Sequence, residues 1–590
     1  MPTLDQAAQS SGSRQQLRFE ARRQRKQERR DRNAQLRRLA VTSGAALALS
    51  ASVLTQPAEA LTFTVFNNSD GGEDSLRQAI LAANANAGPD TIVFDSGVTG
   101  SIILTTGRLD ISDSVDIQGP GAATLTVDGT GASGVFQVYS GSEEIAVTIS
   151  GLTITGGAAN YGAGIFNGDE DLTLDRVTIT GNTATNHGGG LWLGGISMNV
   201  IVRDSQITGN RASNGRGGGI YLDDTGPGVG LLIQNTTISG NSAAGDGGGI
   251  CLNDPDSDVT IETSTISGNR AGVQGGGVYL YNMDSGTFRI RNTTIANNVA
   301  GGNGGGSYVY KGNNQVVIEL TTIAGNTAIG SKGGGVFVDD ESITVTQSII
   351  ADNATAGADN DLGGGTFEVD FSLIENPGAA TITDNGDNVF SQDPQLGVLL
   401  NNGGDTETMA LPDTSPAFDA AGGTCAATDQ RGVTRPKVTA CDMGAFEGDL
   451  DPCDTATPTL GCIVNGVLNQ PCVGTPGQDI IIGTSGNDVI LGGGGNDELR
   501  GNQGDDELCG EAGNDLLVGA TGNDTLRGGA DKDMLRGEVG ADVLDGGSEN
   551  DKLLGGPGND NLTGGDGTDV LRGDAGTDAC DGETETACEL

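Results

Sequence analysis

The sequence is poor in the residue types that most active sites use. It has one histidine, one tryptophan and 4% aromatic residues in 590 positions. Residues 1–60 hold 11 of the 31 basic and 5 of the 78 acidic residues. The rest therefore carries 20 basic and 73 acidic residues, a net charge of −53. Such a surface should repel nucleic acid and anionic membranes and attract cations. The alternative interpretation is that the acidic residues only keep the protein soluble.

After the N-terminal region, no run of apolar residues is long enough for a membrane span. The N-terminus itself has a basic stretch that ends at Arg37-Arg38, an uncharged run at 39–54 and the small-residue site Ala58-Glu59-Ala60. That order predicts a signal peptide at 1–60 with a long basic n-region. We expect an extracellular protein, secreted or attached to the cell surface, with no transmembrane span after signal removal. The export route stays open between Sec, Tat and type I secretion.

The nine cysteines fit an oxidising compartment. Close spacing favours disulfides between Cys425 and Cys441 and between Cys580 and Cys588, although spacing alone does not fix connectivity. Cys251 replaces an apolar residue in a strand and should be buried. The others lie in a linker (Cys453, Cys462 and Cys472) and in an acidic repeat (Cys509).

Glycine is abundant, with 101 residues, and two internal repeats account for much of it. In the first, ITGN, ISGN or a variant recurs every 27–31 residues, and GGG followed by a short β-rich segment recurs between these markers. The marker asparagines are Asn182, Asn210, Asn241, Asn269, Asn298, Asn326 and Asn353. The isoleucines three residues earlier run from Ile179 to Ile350. If each unit is one coil of about three strands, isoleucines stack in the interior and asparagine amides form a ladder.

Both ends of such a stack need covering. At the front, residues 73–85 predict a short helix capped by Asp74 or Ser75, with Leu76, Ala79, Ile80 and Ala83 on one face. At the back, residues 390–447 lose the repeat and should form a C-terminal cap region. The sequence thus predicts an all-β protein with a right-handed parallel β-helix.

Three segments resemble known surface proteins. The opening FTVFNNSDGGEDSLRQAILAANANAGPDTIVFD resembles the start of bacterial secreted β-helix proteins. Residues 393–448 resemble the C-terminal region of the choice-of-anchor Q group, and the GGGI and ISGN markers are similar to repeats of polymorphic outer-membrane proteins. The resemblance covers about residues 61–447 and implies an extracellular surface protein. It supplies no reaction.

The second repeat is nine residues long and shows no slip over twelve copies. Its aspartates are Asp479, Asp488, Asp497, Asp506, Asp515, Asp524, Asp533, Asp542, Asp551, Asp560, Asp569 and Asp578. Glycine stands five residues before each of them, and Ile or Leu two residues after, with Cys580 as the exception. We expect a six-residue turn and a three-residue strand per repeat. Two repeats should complete a coil, so Asp488 and Asp506 share one edge and Asp497 lies on the other.

This pattern resembles the RTX, or haemolysin-type, calcium-binding nonapeptide. The resemblance implies a parallel β-roll in which carboxylates and backbone carbonyls of stacked turns bind Ca²⁺, whose six to eight ligands are oxygens. Twelve repeats leave room for roughly ten ions at most. Asp531 and Glu549 replace a glycine of the pattern, so sites that touch those turns should be weaker. The roll should remain unfolded without calcium.

An enzyme on the β-helix, a polysaccharide lyase or a glycoside hydrolase, is the alternative. His187 precedes a GGG marker and is interpreted as a turn residue. Asp223-Asp224 and Asp339-Asp340 are candidate paired acids, but each pair follows a strand as ordinary turn residues do. No partner for Arg203, Arg289 or Arg291 can be identified from the sequence.

The position of His187 is occupied by a different polar residue in each following coil. These residues are Arg216, Asp246, Gln274, Asn303 and Lys332. The row is either a solvated face or a stripe that contacts a glycan. Trp192 alone is interpreted as packing.

We therefore predict a calcium-binding β-helix protein for adhesion to a glycan or a host or matrix surface, non-enzymatic rather than catalytic. The predicted organisation is a signal peptide at 1–60, an N-terminal cap and first coils at 61–134, a parallel β-helix at 135–389, a C-terminal cap region at 390–447, a Cys-bearing linker at 448–473 and an RTX β-roll at 474–590.

Overall fold

The computed structural model describes residues 60–590 except 142–143, 195–197, 226–229, 256, 284, 311–315, 331, 358–359, 449–457, 582–583 and 587–590. The predicted signal peptide and Cys588 therefore lie outside the described residues, apart from Ala60. Within the described part, no helix has the length and hydropathy that a membrane span needs.

Helix α1 (Leu76–Ala85) lies at the N-terminal end of the β-helix. Ser75 is its N-cap, and the Ser75 side chain accepts a hydrogen bond from the Gln78 N–H. Leu76, Ala79, Ile80 and Ala83 are buried in the main core. The helix, its cap and its buried face are confirmed as predicted.

Residues 62–390 form a right-handed parallel β-helix, which confirms the predicted fold class. Strands of successive coils pair in parallel and form four faces. Face 1, which follows the GGG marker, contains Leu109–Ile111, Phe136–Val138, Ile165–Gly168, Leu191–Gly194, Ile220–Thr225, Ile250–Pro255, Val278–Tyr281 and Ser307–Tyr310. Face 2 contains Thr62–Val65, Asp90–Phe94, Val115–Gln118, Ala146–Ser150, Asp171–Asp175, Val200–Arg203, Gly230–Gln234, Asp258–Glu262, Phe288–Arg291, Val316–Glu319 and Thr381–Asp384. Two long strands, Val336–Thr346 and Leu362–Asp370, run through both faces.

Face 3 ends just before the marker asparagine, and face 4 begins just after it. Face 3 contains Gly100–Ile103, Leu125–Asp128, Thr153–Thr155, Thr178–Thr180, Gln206–Thr208, Thr237–Ser239, Thr265–Ser267, Thr294–Ala296, Thr322–Ala324, Ile349–Ala351, Leu373–Ile374 and Val389–Phe390. Face 4 contains Ala158–Tyr161, Thr183–His187, Arg211–Ala212, Ser242–Ala243, Arg270–Ala271, Val299–Ala300, Thr327–Ala328 and Ala354–Thr355. Coils from 158 to 355 therefore have four strands where three were expected, because the residues after each asparagine also pair with the next coil.

The interior columns are as predicted. Ile179, Ile207 and Ile238 pair in register, and the column continues to Ile350, all fully buried. Each ladder asparagine donates from Nδ2 to Oδ1 of the next, at 2.9–3.1 Å. At the end of the ladder, Asn353 Nδ2 donates to Oδ1 of Asp361 at 2.9 Å. A buried carboxyl group thus takes the place of the next asparagine.

Residues 390–447, expected as a C-terminal cap, form hydrogen bonds to the side of the β-helix. The Thr294 hydroxyl donates to Gln430 Oε1 at 2.7 Å, and the Ala445 N–H donates to the Thr322 hydroxyl at 3.0 Å. Further back, Asn235 Nδ2 donates to the carboxylate of Asp405 at 2.8 Å. This segment has an antiparallel pair, Leu399–Leu400 with Thr408–Met409, and contains the predicted Cys425–Cys441 disulfide. Outward residues of face 3, such as Ile349, are therefore covered.

The C-terminal residues form a parallel β-roll, which also confirms the predicted fold. A hairpin, Leu460–Val464 with Val467–Pro471, begins it and is closed by a Cys462–Cys472 disulfide. One sheet continues with Ile480–Ile482, Glu498–Gln503, Leu516–Thr521, Met534–Val539, Lys552–Pro557, Val570–Ala575 and Thr584–Thr586. The other contains Val489–Leu491, Glu507–Ala512, Thr525–Ala530, Val543–Ser548, Asn561–Asp566 and Ala579–Asp581.

Each coil of the roll is 18 residues, as expected, because Val489 pairs with Glu507 and Glu507 pairs with Thr525. The expected three-residue strands are found only near the ends. Most strands have six residues, because pairing continues through the first positions of the next repeat, as in Gln503 with Thr521. The turn is correspondingly three residues long. The aliphatic side chains two residues after each aspartate, Ile481 to Leu571, are fully buried and form the core.

Candidate functional sites

The repeat aspartates lie in two rows, one on each edge of the roll. Row A contains Asp488, Asp506, Asp524, Asp542, Asp560 and Asp578, and row B contains Asp479, Asp497, Asp515, Asp533, Asp551 and Asp569. All twelve are at most 4% exposed. Within a row, the backbone N–H of each aspartate donates to Oδ1 of the aspartate one coil later, at 2.7–3.0 Å. The two rows confirm the expected sharing of edges.

The second carboxylate oxygen has no hydrogen-bond partner in nine of these aspartates. They are Asp497, Asp506, Asp515, Asp524, Asp533, Asp542, Asp551, Asp560 and Asp578. A buried carboxylate oxygen without a protein partner is costly, so its recurrence in coil after coil indicates a place where a positive group would bind. The oxygen lies against the first glycine of its own repeat. A Cβ on Gly501, for example, would be 2.2 Å from Asp506 Oδ2.

The first aspartate of each row is different. Asp479 Oδ2 accepts hydrogen bonds from the Thr475 N–H and hydroxyl, and Asn465 Nδ2 donates to Oδ1. In the same way, Asp488 Oδ2 accepts hydrogen bonds from the Thr484 N–H and hydroxyl, and the Thr459 hydroxyl donates to Asp488 Oδ1 at 3.0 Å. Both oxygens of these two predicted ligands are already satisfied by protein groups. They serve here to fix the first turns and the hairpin.

Backbone carbonyl groups face the gaps between turns. Two residues before each aspartate of row A stands a glycine, and its carbonyl oxygen lies close to where a Cβ of the equivalent glycine one coil later would stand. A Cβ on Gly522 would lie 1.8 Å from the Gly504 oxygen, and one on Gly540 would lie 1.5 Å from the Gly522 oxygen. A side chain at these positions would fill the space between turns. The gaps are thus lined by carbonyl oxygens as well as by carboxylates.

The carboxyl groups repel one another in this arrangement. Burial, with a contribution from neighbouring aspartates, raises the pKa of Asp506 to about 6, of Asp515 to about 7 and of Asp533 to about 8. The hydrogen bond that each accepts from the preceding aspartate's N–H works in the opposite direction and does not cancel this effect. A cation between the turns would remove it.

The donor set consists of carboxylate and carbonyl oxygens, which is what Ca²⁺ prefers. Residues 473–508, 510–544 and 545–580 match the family described as the RTX calcium-binding nonapeptide repeat. These residues are RTX repeats. Because RTX repeats bind calcium, calcium is the cation that the donor set fits.

The β-helix matches a second family, described as a right-handed β-helix region, over residues 126–323 and 206–401. No curated protein gives a significant match to the chain. Among solved structures, pectate lyase Pel9A is 16% identical with a TM-score of 0.40, over 66% of this chain and 96% of that one. The PL6 family alginate lyase AlyGC is 10% identical with a TM-score of 0.30, over 87% and 84%. These similarities carry no argument about the activity of this chain.

One set of RTX residues was missed from the sequence. The side-chain Oδ1 of the residue before the repeat aspartate accepts a hydrogen bond, at 2.7–3.1 Å. The donor is the backbone N–H of the residue at the same position one coil later. These acceptors are Asn487, Asn496, Asp505, Asn523, Asn550 and Asn559. The recurrence of Asn-Asp in the repeats was the available signal. The roll therefore has an outer ladder of side chains beside each row of aspartates.

Cysteines of the roll form disulfides and not metal sites. Sγ of Cys462 and Sγ of Cys472 lie near the Asp488 carboxylate, a grouping with the spacing of a metal site. Since the two sulfurs are bonded to each other, they are not available as thiolate ligands. Cys509 and Cys580 are disulfide-bonded as well, and Cys251 is free and buried. The predicted pairing of Cys580 with Cys588 involves a residue outside the described part.

The β-helix also has an aromatic face, which was not predicted from the sequence. From the third face 1 strand to the long strand Val336–Thr346, the second residue of each strand points away from the main core and is aromatic except at Cys251. The aromatic face consists of Phe166, Trp192, Tyr221, Tyr279, Tyr308 and Phe337. The Phe166 and Trp192 rings are 4.4 Å apart, as are Tyr279 and Tyr308 at 5.3 Å and Tyr308 and Phe337 at 5.0 Å. Trp192 is therefore one member of a column. The signal was the alternation of outward Tyr with inward Ile and Leu in GIYL-like segments.

The predicted polar row borders this column. His187 ends a face 4 strand, and its ring stacks on Tyr221 with centroids 4.5 Å apart. Arg216 Nε lies 2.9 Å from Asp246 Oδ2, and the guanidinium lies 5.8 Å from the centre of the Tyr279 ring. His187 thus packs against the aromatic face, and Asp246 is buried beneath Arg216. Here the row is not a fully solvated face.

The candidate acids also border the aromatic face. Asp223 Oδ1 accepts hydrogen bonds from the Tyr221 hydroxyl at 3.4 Å and from Asn253 Nδ2 at 3.2 Å. Asp339 accepts one from the Tyr308 hydroxyl at 3.1 Å. The side chains of Asp224 and Asp340 lie outside the described part. Because Asp223 and Asp339 are four coils apart, about 19 Å, they are not brought together as a catalytic pair.

The three candidate arginines are all paired with acids. Arg203 Nε lies 3.1 Å from the Asp175 carboxylate. Arg289 and Arg291 both contact Glu319, at 2.5 and 2.9 Å. Their role in the structure is coil-to-coil ion pairing.

Proposed function

We propose that this chain is an extracellular protein in which calcium ions fill the gaps between turns of the roll, bound by aspartates of rows A and B. The observation that carries the proposal is the series of nine buried Oδ2 atoms without partners beside stacked carbonyl groups. Because Asp479 and Asp488 are satisfied by protein groups, the ligands proposed are the aspartates from Asp497 to Asp578. Calcium supplies the charge that lets the carboxylates of neighbouring coils approach one another.

Calcium bound by the full chain tests this role. Equilibrium dialysis followed by elemental analysis should find several ions per chain. Asp524→Asn keeps the shape of a row A side chain and removes its charge, so it should lower the number of ions. Asp505→Asn is the matched control, because Asp505 is exposed, neighbours row A and occupies a position that is Asn in other repeats. No bound calcium in the unmodified chain would contradict the role.

For the β-helix we propose binding of a glycan or a host or matrix surface. The border of the aromatic face supports it. The rings of Tyr221, Tyr279, Tyr308 and Phe337 are at most 7% exposed, and they hold more exposed rings in a line beside polar groups. Tyr281 and Tyr310 border the face with rings 5.0 Å apart and 6° from parallel, and Tyr281 is 36% exposed. Gln274 and Lys332 can donate hydrogen bonds to hydroxyl groups along the same face.

A polysaccharide lyase or glycoside hydrolase on this face is the second candidate, since His187, Arg216 and Tyr221 lie together. The hydrogen bonds favour binding over cleavage. His187 Nδ1 accepts the Arg216 N–H at 3.0 Å, so neutral His187 carries its proton on Nε2 and has no free ring nitrogen to act as a base. Burial and the charge of Arg216 lower the pKa of His187, and burial raises the pKa of the Tyr221 hydroxyl, which opposes proton transfer by it.

A polysaccharide panel separates the two candidates. The calcium-loaded full chain should retain at least one polysaccharide and release no shortened product. Tyr281→Ala with Tyr310→Ala should weaken retention, whereas Phe66→Ala should not, since Phe66 is exposed but follows the first strand of face 2. Sustained product release that needs His187 would establish the enzyme instead.

A further inference from the structure

The two edges of the roll are not equivalent. On row A, all positions two residues before the aspartate are glycine: Gly486, Gly504, Gly522, Gly540, Gly558 and Gly576. On row B, the corresponding positions are Gly477, Gly495, Gly513, Asp531, Glu549 and Gly567. Both non-glycine residues thus fall on one edge, in consecutive coils.

Glycine is required at this position for reasons of space. In row A, a Cβ on Gly522, Gly540, Gly558 or Gly576 would lie 1.3–1.8 Å from the carbonyl oxygen of the coil before. In row B, a Cβ on Gly513 would lie 1.7 Å from the Gly495 oxygen. No carbon atom fits at such a distance. A residue that has a Cβ can occupy the position only if the peptide groups around it rotate.

The backbone shows that rotation. The φ angle is 117–159° at Gly495, Gly504, Gly513, Gly522, Gly540, Gly567 and Gly576. It is 78° at Asp531 and 79° at Glu549. The two residues therefore differ from the glycines by roughly 40° to 80°, in the left-handed region that non-glycine residues rarely adopt. Because φ is the rotation about the N–Cα bond, the peptide group that precedes each of these residues is turned relative to its equivalents, whereas the Glu549 carbonyl oxygen keeps the usual place, 1.8 Å from a Cβ built on Gly567.

Asp531 and Glu549 bring extra negative charge to row B without being buried between the turns. Both residues are exposed, whereas the repeat aspartates beside them, Asp533 and Asp551, are buried. Their charges add to the negative charge already present around row B. The exposed carboxylates lie toward solvent at the rim of the gaps.

We propose that row A is a continuous series of calcium sites, and that row B is divided at its centre by two weakened gaps, 513/531 and 531/549. This inference rests on the proposed calcium binding and adds which positions fill. The roll then has two classes of site, and the weak pair fills only at higher calcium concentration.

Exchanging the residues between edges tests the inference on the full chain. The double variant Asp531→Gly with Glu549→Gly restores the row A pattern to row B. It should bind about two more calcium ions than the unmodified chain at a fixed subsaturating concentration, measured by dialysis and elemental analysis. The matched variant Gly522→Asp with Gly540→Glu transfers the interruption to row A and should bind fewer ions.

The outcomes separate the two levels of the proposal. If the unmodified chain binds no calcium, the proposed function fails. If it binds calcium and the glycine double variant binds the same number or fewer, the inference is overturned, and fewer ions would mean that Asp531 and Glu549 are ligands. If the Gly522/Gly540 variant does not fold, the Asp531→Gly, Glu549→Gly variant still tests the inference. That variant should fold, because it removes side chains from exposed positions and relaxes strained φ angles.

Discussion

Asp361 shows how one side chain can end a repeating structure. It lies beyond the last asparagine of the ladder and accepts the Asn353 amide on Oδ1 and the Asn376 N–H on Oδ2. Burial raises the pKa of its carboxyl group to about 7, and the charge of Glu375 adds to this effect. Burial likewise raises the pKa of Asp442 to about 7, in the segment beside face 3.

These two groups predict that the β-helix becomes less stable as pH rises. A carboxyl group with a raised folded-state pKa stays protonated in the folded chain while it ionises in the unfolded chain. Its contribution to the free energy of unfolding is fully present below about pH 4 and is lost by about pH 7. For Asp361 this loss is up to about 4 kcal/mol. Denaturant midpoints of the β-helix at constant calcium should fall between pH 5 and pH 8.

Asp361→Asn provides the control, because it removes the ionising group. Its midpoint should start lower, because an amide has one acceptor oxygen and cannot replace both carboxyl oxygens that bind the Asn353 amide and the Asn376 N–H. The slope of the midpoint against pH is therefore the quantity to compare. That slope should be smaller than in the unmodified chain. Equal slopes would show that Asp361 does not titrate in this range.

The coil is the element in which sequence and structure agree best. The marker asparagines, the Ile179 column and the 18-residue coil of the roll could be predicted, because stacking places identical positions on top of one another. The fourth strand and the six-residue roll strands could not, because they depend on which backbone groups pair after a turn. The aromatic face was missed because Trp192 was judged alone, although stacking brings it against Phe166.

The GGG marker gives a prediction for a single coil. The middle glycine packs against the next coil, where a Cβ on Gly248 would lie 2.4 Å from the Gly276 oxygen and 2.5 Å from the Arg270 carbonyl carbon. Gly248→Ala should therefore separate two coils and destabilise the β-helix by about 3 kcal/mol or more in denaturant unfolding. Gly71→Ala is the control, because a Cβ there has no neighbour within 4 Å. Equal effects of the two variants would contradict the packing argument.

The molecule as a whole combines two solenoids with different sources of stability. The β-helix buries continuous columns of Ile, Leu and Val, and the asparagines of its ladder hydrogen-bond to one another. The roll has one inward aliphatic side chain per repeat and leaves carboxylate oxygens without partners. The first should therefore be stable without metal, whereas the second should depend on calcium. The location of residues 390–447 beside face 3 could not be predicted, since it rests on contacts such as Thr294 with Gln430 between distant segments.

Hydrogen exchange of the full chain, followed by mass spectrometry with calcium and with EGTA, tests the central claim most directly. With calcium, amides of residues 497–578 should be protected, and removal of calcium should abolish that protection by unfolding the roll. Residues 126–390 should keep their protection in both conditions and serve as the internal control. Protection of residues 497–578 that is the same in EGTA as in calcium would contradict the account.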